Sequence, residues 1–249
     1  MNTTRKLLFA VTTALTGFAL SAPAAVVIYQ DDFSGSGAGT LNGTAPDVAP
    51  GAETWIASGL WNDAGAKPSP NHGSAFLPFT PVALKTEVYQ LSMDVNPDAI
   101  NNPNWMSLGF TGTTNTGNWL ANDIYAWMLN RMNDGVQTCR GAGTSNGATH
   151  ASSDPGWVNL MVQLNTRNAN WSVEWYLDGQ LIRNTLNSFA TNPTITHVGF
   201  SGYNSTTGVV DNFILERVQV PLPEPTTAIF AMFGFFLVRG LRAKQEDYC

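Results

Sequence analysis

The chain has 249 residues, with 12 Lys and Arg against 18 Asp and Glu and a formal net charge of −6. Five of those basic residues (Arg5, Lys6, Arg239, Arg242, Lys244) lie near the ends, which leaves seven against 15 acidic residues between positions 25 and 218, a local net charge near −8. Phosphate recognition needs a basic footprint, so the composition excludes nucleic acid as a partner.

The first segment reads as an export signal over residues 1–24. Arg5 and Lys6 form a basic start, Leu7 to Leu20 an apolar run, and Ala22-Pro23-Ala24 the small-x-small pattern that signal peptidase reads. The run is about 14 residues, short of the roughly 20 that a spanning helix requires.

Residues 25–218 then form one domain large enough for its own core. Period-two alternation and turn residues predict strands over Val26–Phe33, Thr54–Ala57, Ala75–Pro78, Tyr89–Val95, Trp105–Thr111, Ile124–Asn130 and Val158–Leu164. Further strands follow at Trp171–Leu177, Gln180–Ile182, Ile195–Gly202 and Val209–Arg217. Asp178-Gly179 sits between two of them and predicts a tight hairpin. Loops are expected at Ser34–Glu53, Asn62–Ser74, Thr113–Asn122 and Gly141–Gly156. No exported segment of ten or more residues has helical periodicity, so the expected fold is all-β: an antiparallel β-sandwich of jelly-roll type.

The chain ends, over residues 219–249, with Pro223-Glu224-Pro225, an apolar run from Ala228 to Val238, and then Arg239, Arg242 and Lys244. Even with Thr226 and Thr227 the run covers 13 residues, about 20 Å as a helix, which suits a marginal, transient membrane anchor. Its basic end agrees with the positive-inside rule. Pro221, Pro223 and Pro225 separate it from the domain. Cys139 lies in the domain and Cys249 beyond the tail, so no disulfide between them is expected, and Cys139 reads as a strand thiol.

Two resemblances follow from these residues. The order of Pro223-Glu224-Pro225, apolar helix and Arg239/Arg242 resembles the PEP-CTERM sorting signal of Gram-negative bacteria. That resemblance implies processing by an exosortase and association with exopolysaccharide or extracellular matrix, in the cell envelope or outside it. Tyr29-Gln30-Asp31-Asp32-Phe33, Leu41 to Asp47 and Val210-Asp211-Asn212-Phe213-Ile214-Leu215 together resemble the frame of concanavalin A-like, LamG-type jelly rolls. In that frame the first and last strands lie side by side.

The chemistry expected from side chains is sparse. Jelly-roll glycanases place two carboxylates across the glycosidic bond, about 5 Å apart in retaining enzymes. Here nothing has that spacing, and Glu174 has only Asp178 near it in the chain. His72, His150 and His197 are scattered, with no zinc-ligand spacing, and there is no Gly-x-Ser-x-Gly elbow. Asp94-Val95-Asn96-Pro97-Asp98 lacks the Gly and Glu of an EF-hand. If the terminal strands pair, Asp31 or Asp32 with Asp211 and Asn212 offers hard oxygen ligands for calcium. Trp61, Trp119 and Trp127 are candidate sugar-stacking residues, whereas Trp157, Trp171 and Trp175 are expected in the core. The sequence therefore predicts an exported, non-enzymatic matrix or exopolysaccharide-associated protein. The alternatives are a calcium-assisted, lectin-like carbohydrate-binding module and a glycan hydrolase or lyase.

Overall fold

The structure, a computed structural model, describes residues 25–67, 69, 71–82, 87–96, 104–117, 124–131, 135–139, 156–182, 188–203 and 208–219. The export signal, the sorting residues Pro223, Glu224, Pro225, Arg239 and Arg242, and Trp119 lie outside the described residues. Those described form thirteen strands: β1 (Ala25–Asp31), β2 (Ile56–Ala57), β3 (Ala66–Lys67), β4 (Gly73–Pro78), β5 (Glu87–Asn96), β6 (Trp105–Thr111) and β7 (Ile124–Arg131), followed by β8 (Gly135–Cys139), β9 (Val158–Asn165), β10 (Ser172–Leu177), β11 (Gln180–Leu181), β12 (His197–Tyr203) and β13 (Gly208–Gln219). Among them there is no helix.

Two antiparallel sheets result. One runs β1-β13-β5-β9-β10-β11, with β3 also paired to β13; the other runs β2-β4-β12-β6-β7-β8. The predicted Asp-Gly hairpin is present, with φ of 48° at Asp178 and 75° at Gly179, the left-handed pair that a two-residue type I′ turn demands. The short β3, inside a predicted loop, and β8 escaped the sequence reading. β3 contributes only the two pairs Gly208↔Lys67 and Val209↔Ala66, too few residues to display an alternation.

The sandwich core follows from strand periodicity. Tyr89, Leu91, Met93 and Val95 of β5 point inward, as do Val158, Leu160, Val162 and Leu164 of β9 and Trp171, Val173 and Trp175 on and before β10. At its centre the Phe200 ring meets Trp61 at 4.8 Å, Trp55 at 5.3 Å, Phe33 at 5.7 Å and Phe213 at 6.1 Å. Edge-on contacts of this kind suit the ring quadrupoles. A smaller cluster of Phe76, Trp105, Trp127 and Leu129, with Tyr203 against it, lies on the other face of the six-stranded sheet. Trp127 pairs with Gly109, where an added Cβ would come within 2.6 Å of the Trp127 Cβ. The glycine lets the indole lie close to the neighbouring strand.

Trp61 and Trp127 are only 1% and 3% exposed. Both are therefore corrected from sugar-stacking candidates to packing residues, because a ring enclosed on all sides has no free face to offer a sugar.

Replacing Phe200 by Ala removes the ring shared by four aromatic neighbours and should cost about 3–5 kcal/mol of folding stability. Urea unfolding of the variant checks this, and a loss below about 1 kcal/mol would contradict so central a role.

Candidate functional site

The longest strand, β13, organises the polar chemistry of the seven-stranded sheet. On one side it pairs with β1, with Asp31 opposite Phe213, so the expected meeting of first and last strands is present. On the other it pairs with β5, with Asp211 opposite Asp94 and Ile214 opposite Ser92. That one-residue shift sets Asn212 and Phe213 against the single Met93, a bulge, and Asn212 has a φ of 51°.

The residues expected to hold calcium together have different partners. Asp31 points into the sandwich, 6% exposed, and its carboxylate accepts hydrogen bonds from the Phe33 backbone N–H at 2.8 Å and from Trp55 Nε1 at 2.6 Å. Asp211 lies opposite Asp94, its own Oδ1 accepting from the Asn212 N–H at 2.7 Å. Asn212 donates through Nδ2 to Asp94 Oδ2 at 2.8 Å. The four-residue set Asp31, Asp32, Asp211 and Asn212 is thus corrected: Asp31 turns into the sandwich, the carboxylate group that holds Asp31 and Asp32 does not include Asp211, and the Asn212 amide is taken up by Asp94.

Each half acquires a different companion. Asp31 and Asp32 join Asp47, and ligand atoms of the three carboxylates lie within 4.8 Å of one another. Asp32 and Asp47 are exposed, and the Asp32 N–H donates to Asp47 Oδ2 at 2.9 Å. Burial raises the Asp31 pKa; the hydrogen bonds from Trp55 and Phe33 oppose this, and the neighbouring charges of Asp47 and Asp32 add to it. Three oxygen donors at this separation fit a hard divalent cation, which takes oxygens at about 2.3–2.6 Å. The acidic cluster can therefore bind a metal ion. Asp47 was legible only as part of a family-like stretch, because its approach to Asp31 depends on the Gln30–Val48 backbone bridge.

The other half belongs to a polar network on the outer face. Asp94 Oδ1 accepts from Asn159 Nδ2 at 2.7 Å, and the Asn159 N–H donates to Asp178 Oδ1 at 2.8 Å. Two residues before Asn159 stands Trp157, which is 48% exposed. Its expected place in the core is corrected, while Trp171 and Trp175 are indeed buried. The signal was present in the sequence: if Val158 and Leu160 face inward, residues 157 and 159 have the opposite parity.

Farther along the same face a second row crosses four strands, pairing Glu216 with Gln90, Gln90 with Gln163, and Gln163 with Glu174. Gln90 Nε2 donates to Gln163 Oε1 at 2.8 Å, and Glu174 Oε2 accepts from Gln163 Nε2 at 2.8 Å and from the Tyr176 hydroxyl at 2.9 Å. Burial and Glu174 push the Tyr176 pKa up to about 12, which keeps that hydroxyl a donor. Glu216 stands three strand spacings from Glu174, about 14 Å, and Asp178 stands four residues along the chain, about 13 Å. Glycosidic catalysis requires about 5–9.5 Å between its two carboxyls. Among the described residues, neither acid completes a glycosidase pair with Glu174.

The pH dependence of Asp31 has a definite sign. A carboxyl whose folded pKa is raised contributes stability that is complete below the ordinary Asp range and is lost as pH climbs through the folded value. Without added metal, the wild type should therefore gain stability relative to Asp31→Asn as pH falls through that window. Urea unfolding of both proteins at a series of pH values reads the difference, and a gap independent of pH would refute it.

No family model matches the chain, and no curated protein matches it. Among solved structures it is similar to an endo-1,3-beta-glucanase from Streptomyces sioyaensis, with a TM-score of 0.53 and 14% identity over 80% of this chain and 100% of that one. The VIP36 exoplasmic/lumenal domain, in its Ca2+/Man3GlcNAc-bound form, gives a TM-score of 0.45 and 12% identity over 71% and 87% of the two chains. The Emp46p carbohydrate recognition domain, in its metal-free form, gives 0.43 and 12% over 68% and 89%. The chain has the concanavalin A-like jelly-roll fold.

Proposed function

We propose that this protein is an exported, non-enzymatic glycan-binding protein of the cell envelope or extracellular matrix, and that it holds exopolysaccharide on the outer face of its seven-stranded sheet. The observation that carries this reading is the exposed Trp157, two residues before Asn159 in the hydrogen-bonded group Asp94, Asn159 and Asn212. An indole face packs on the apolar face of a pyranose, while carboxylate and amide groups beside it take the hydroxyls. An acidic domain of net charge near −8 favours neutral over anionic glycans.

In the same reading the ends of the chain are addresses. Signal peptidase removes residues 1–24. An exosortase of a Gram-negative bacterium recognises Pro223-Glu224-Pro225, the apolar run and Arg239/Arg242. Calcium, bound by Asp31, Asp32 and Asp47, fastens the loop carrying Asp47 to the first strand. It relieves the mutual repulsion of three carboxylates.

The test is binding of the exported protein to exopolysaccharide from the producing cells, with calcium and then with chelator. Saturable binding that Trp157→Ala weakens by about tenfold or more is expected, since loss of a stacking aromatic and its burial is worth roughly 1.5 kcal/mol or more. Chelation should lower the unfolding temperature, and Asp47→Asn should remove that sensitivity. Binding indifferent to Trp157 would move the glycan elsewhere, and release of reducing sugar would restore the enzymatic alternative.

A further inference from the structure

A cavity of about 400 Å³ opens at the end of the sandwich where β1 begins. Its floor is formed by Tyr29, Phe79 and Tyr89, which are buried core residues. Its walls include Val26, Val27, Val48 and Val82, exposed by 43%, 41%, 39% and 46%. Exposed aliphatic side chains gathered round one opening mark an interaction site more often than chance exposure does.

The cavity borders an unfinished sheet edge. Among the described residues β1 is the last strand of its sheet and Gln30 alone is bridged on its outer side, its N–H and C=O pairing with Val48 at 3.1 and 3.0 Å. Among the described residues no strand covers the outer edge of Ala25 to Ile28. An uncapped edge of this kind is a template for strand addition.

The charges at the cavity are unequal. Arg217 is committed to Glu87, with Nη1 3.1 Å from Oε1, and Glu87 also accepts from the Tyr89 hydroxyl. Glu53, which shares the cavity wall, has no basic partner among the described residues. Together with burial, its charge pushes the Tyr29 hydroxyl up to about 12. The site therefore combines an aliphatic hollow, a row of backbone groups that no described strand pairs, and a carboxylate with no basic partner among the described residues.

We propose that this edge binds an extended segment of a partner protein, which adds as a strand beside Ala25 to Ile28. One aliphatic side chain enters the valine-walled cavity and a basic side chain pairs with Glu53. Residues two apart on a strand share a face, so the recognised pattern is an aliphatic residue and a Lys or Arg at positions i and i+2. This site is separate from the Trp157 face and does not rest on glycan binding.

The probe is acetyl-Thr-Val-Thr-Lys-Thr-amide, titrated into the full-length chain and followed by methyl and amide NMR. Saturable shifts of the Val26, Val27 and Val82 methyls are expected, with slowed exchange of the amides between Val26 and Ile28. Glu53→Ala should weaken the Lys peptide about threefold to tenfold, the range for a charged hydrogen bond in a partly exposed setting, and leave unchanged a peptide with norleucine in place of Lys. Val27→Asp should abolish binding, with the milder Val27→Ser as a second variant should the first fail to fold. Equal binding of the fully N-methylated peptide, which cannot pair as a strand, would reduce the site to greasy adsorption and overturn the proposal. Absence of saturable shifts would overturn it too, as would concentration-dependent dimerisation that protects the same amides, because the occupant would then be a second copy.

Discussion

The placement of β13 between β1 and β5 is the constraint on which the rest of this molecule depends. It is the longest strand, it pairs along most of its length on both sides, and it brings the end of the domain against its beginning, Val218 opposite Ala25. Closing a sandwich this way requires long-range pairing, which yields no enthalpy until distant segments meet. The Asp31 carboxylate, bonded to Trp55 Nε1 inside the sandwich, and the Phe213 ring, packed on Trp55 at 5.0 Å, tie that junction to the aromatic centre.

The same strand explains where polar chemistry is found. Because the bulge at Asn212 and Phe213 interrupts the alternation, Asn212 reaches Asp94 on the outer face while Phe213 enters the core. Asp94, Asn159 and Asp178 then form a continuous set of hydrogen bonds, each polar group answered by another. Such a surface is preorganised: its side chains are already oriented before any ligand arrives, which lowers the ordering cost of binding. The row from Glu216 through Glu174 has the same character but holds its carboxylates too far apart for paired acid and nucleophile chemistry.

Tryptophan illustrates the division between sequence and structure. Trp61, with a Gly- and Asn-rich neighbourhood, reads as a surface residue yet contacts Phe200 in the interior. Trp127 lies against Gly109 in a cluster that no period-two pattern reveals, since both faces of the six-stranded sheet are apolar there. Trp157 reads as core by composition but follows the parity of Asn159, which is a polar position. Indole is large and amphipathic, so its type alone assigns it to neither side. Parity against a neighbouring strand does, as Val158 and Leu160 show for Trp157.

By itself the sequence determined the fold class, the main strands and the Asp178-Gly179 hairpin, and its resemblance to LamG-type jelly rolls implied the pairing of first with last strand. The first three depend on local alternation and turn chemistry, written in short stretches of chain. Tertiary structure alone decided which acids share a site: Asp47 reaches Asp31 through the Gln30–Val48 bridge, and Asp211 faces Asp94 through the β13 register. It alone decided that Trp61 and Trp127 are enclosed and that the outer edge of β1 adjoins a valine-lined cavity. The physical reason is that a strand pattern specifies which face a residue takes, whereas its neighbours on that face come from strands tens of residues away, chosen by register and bulge.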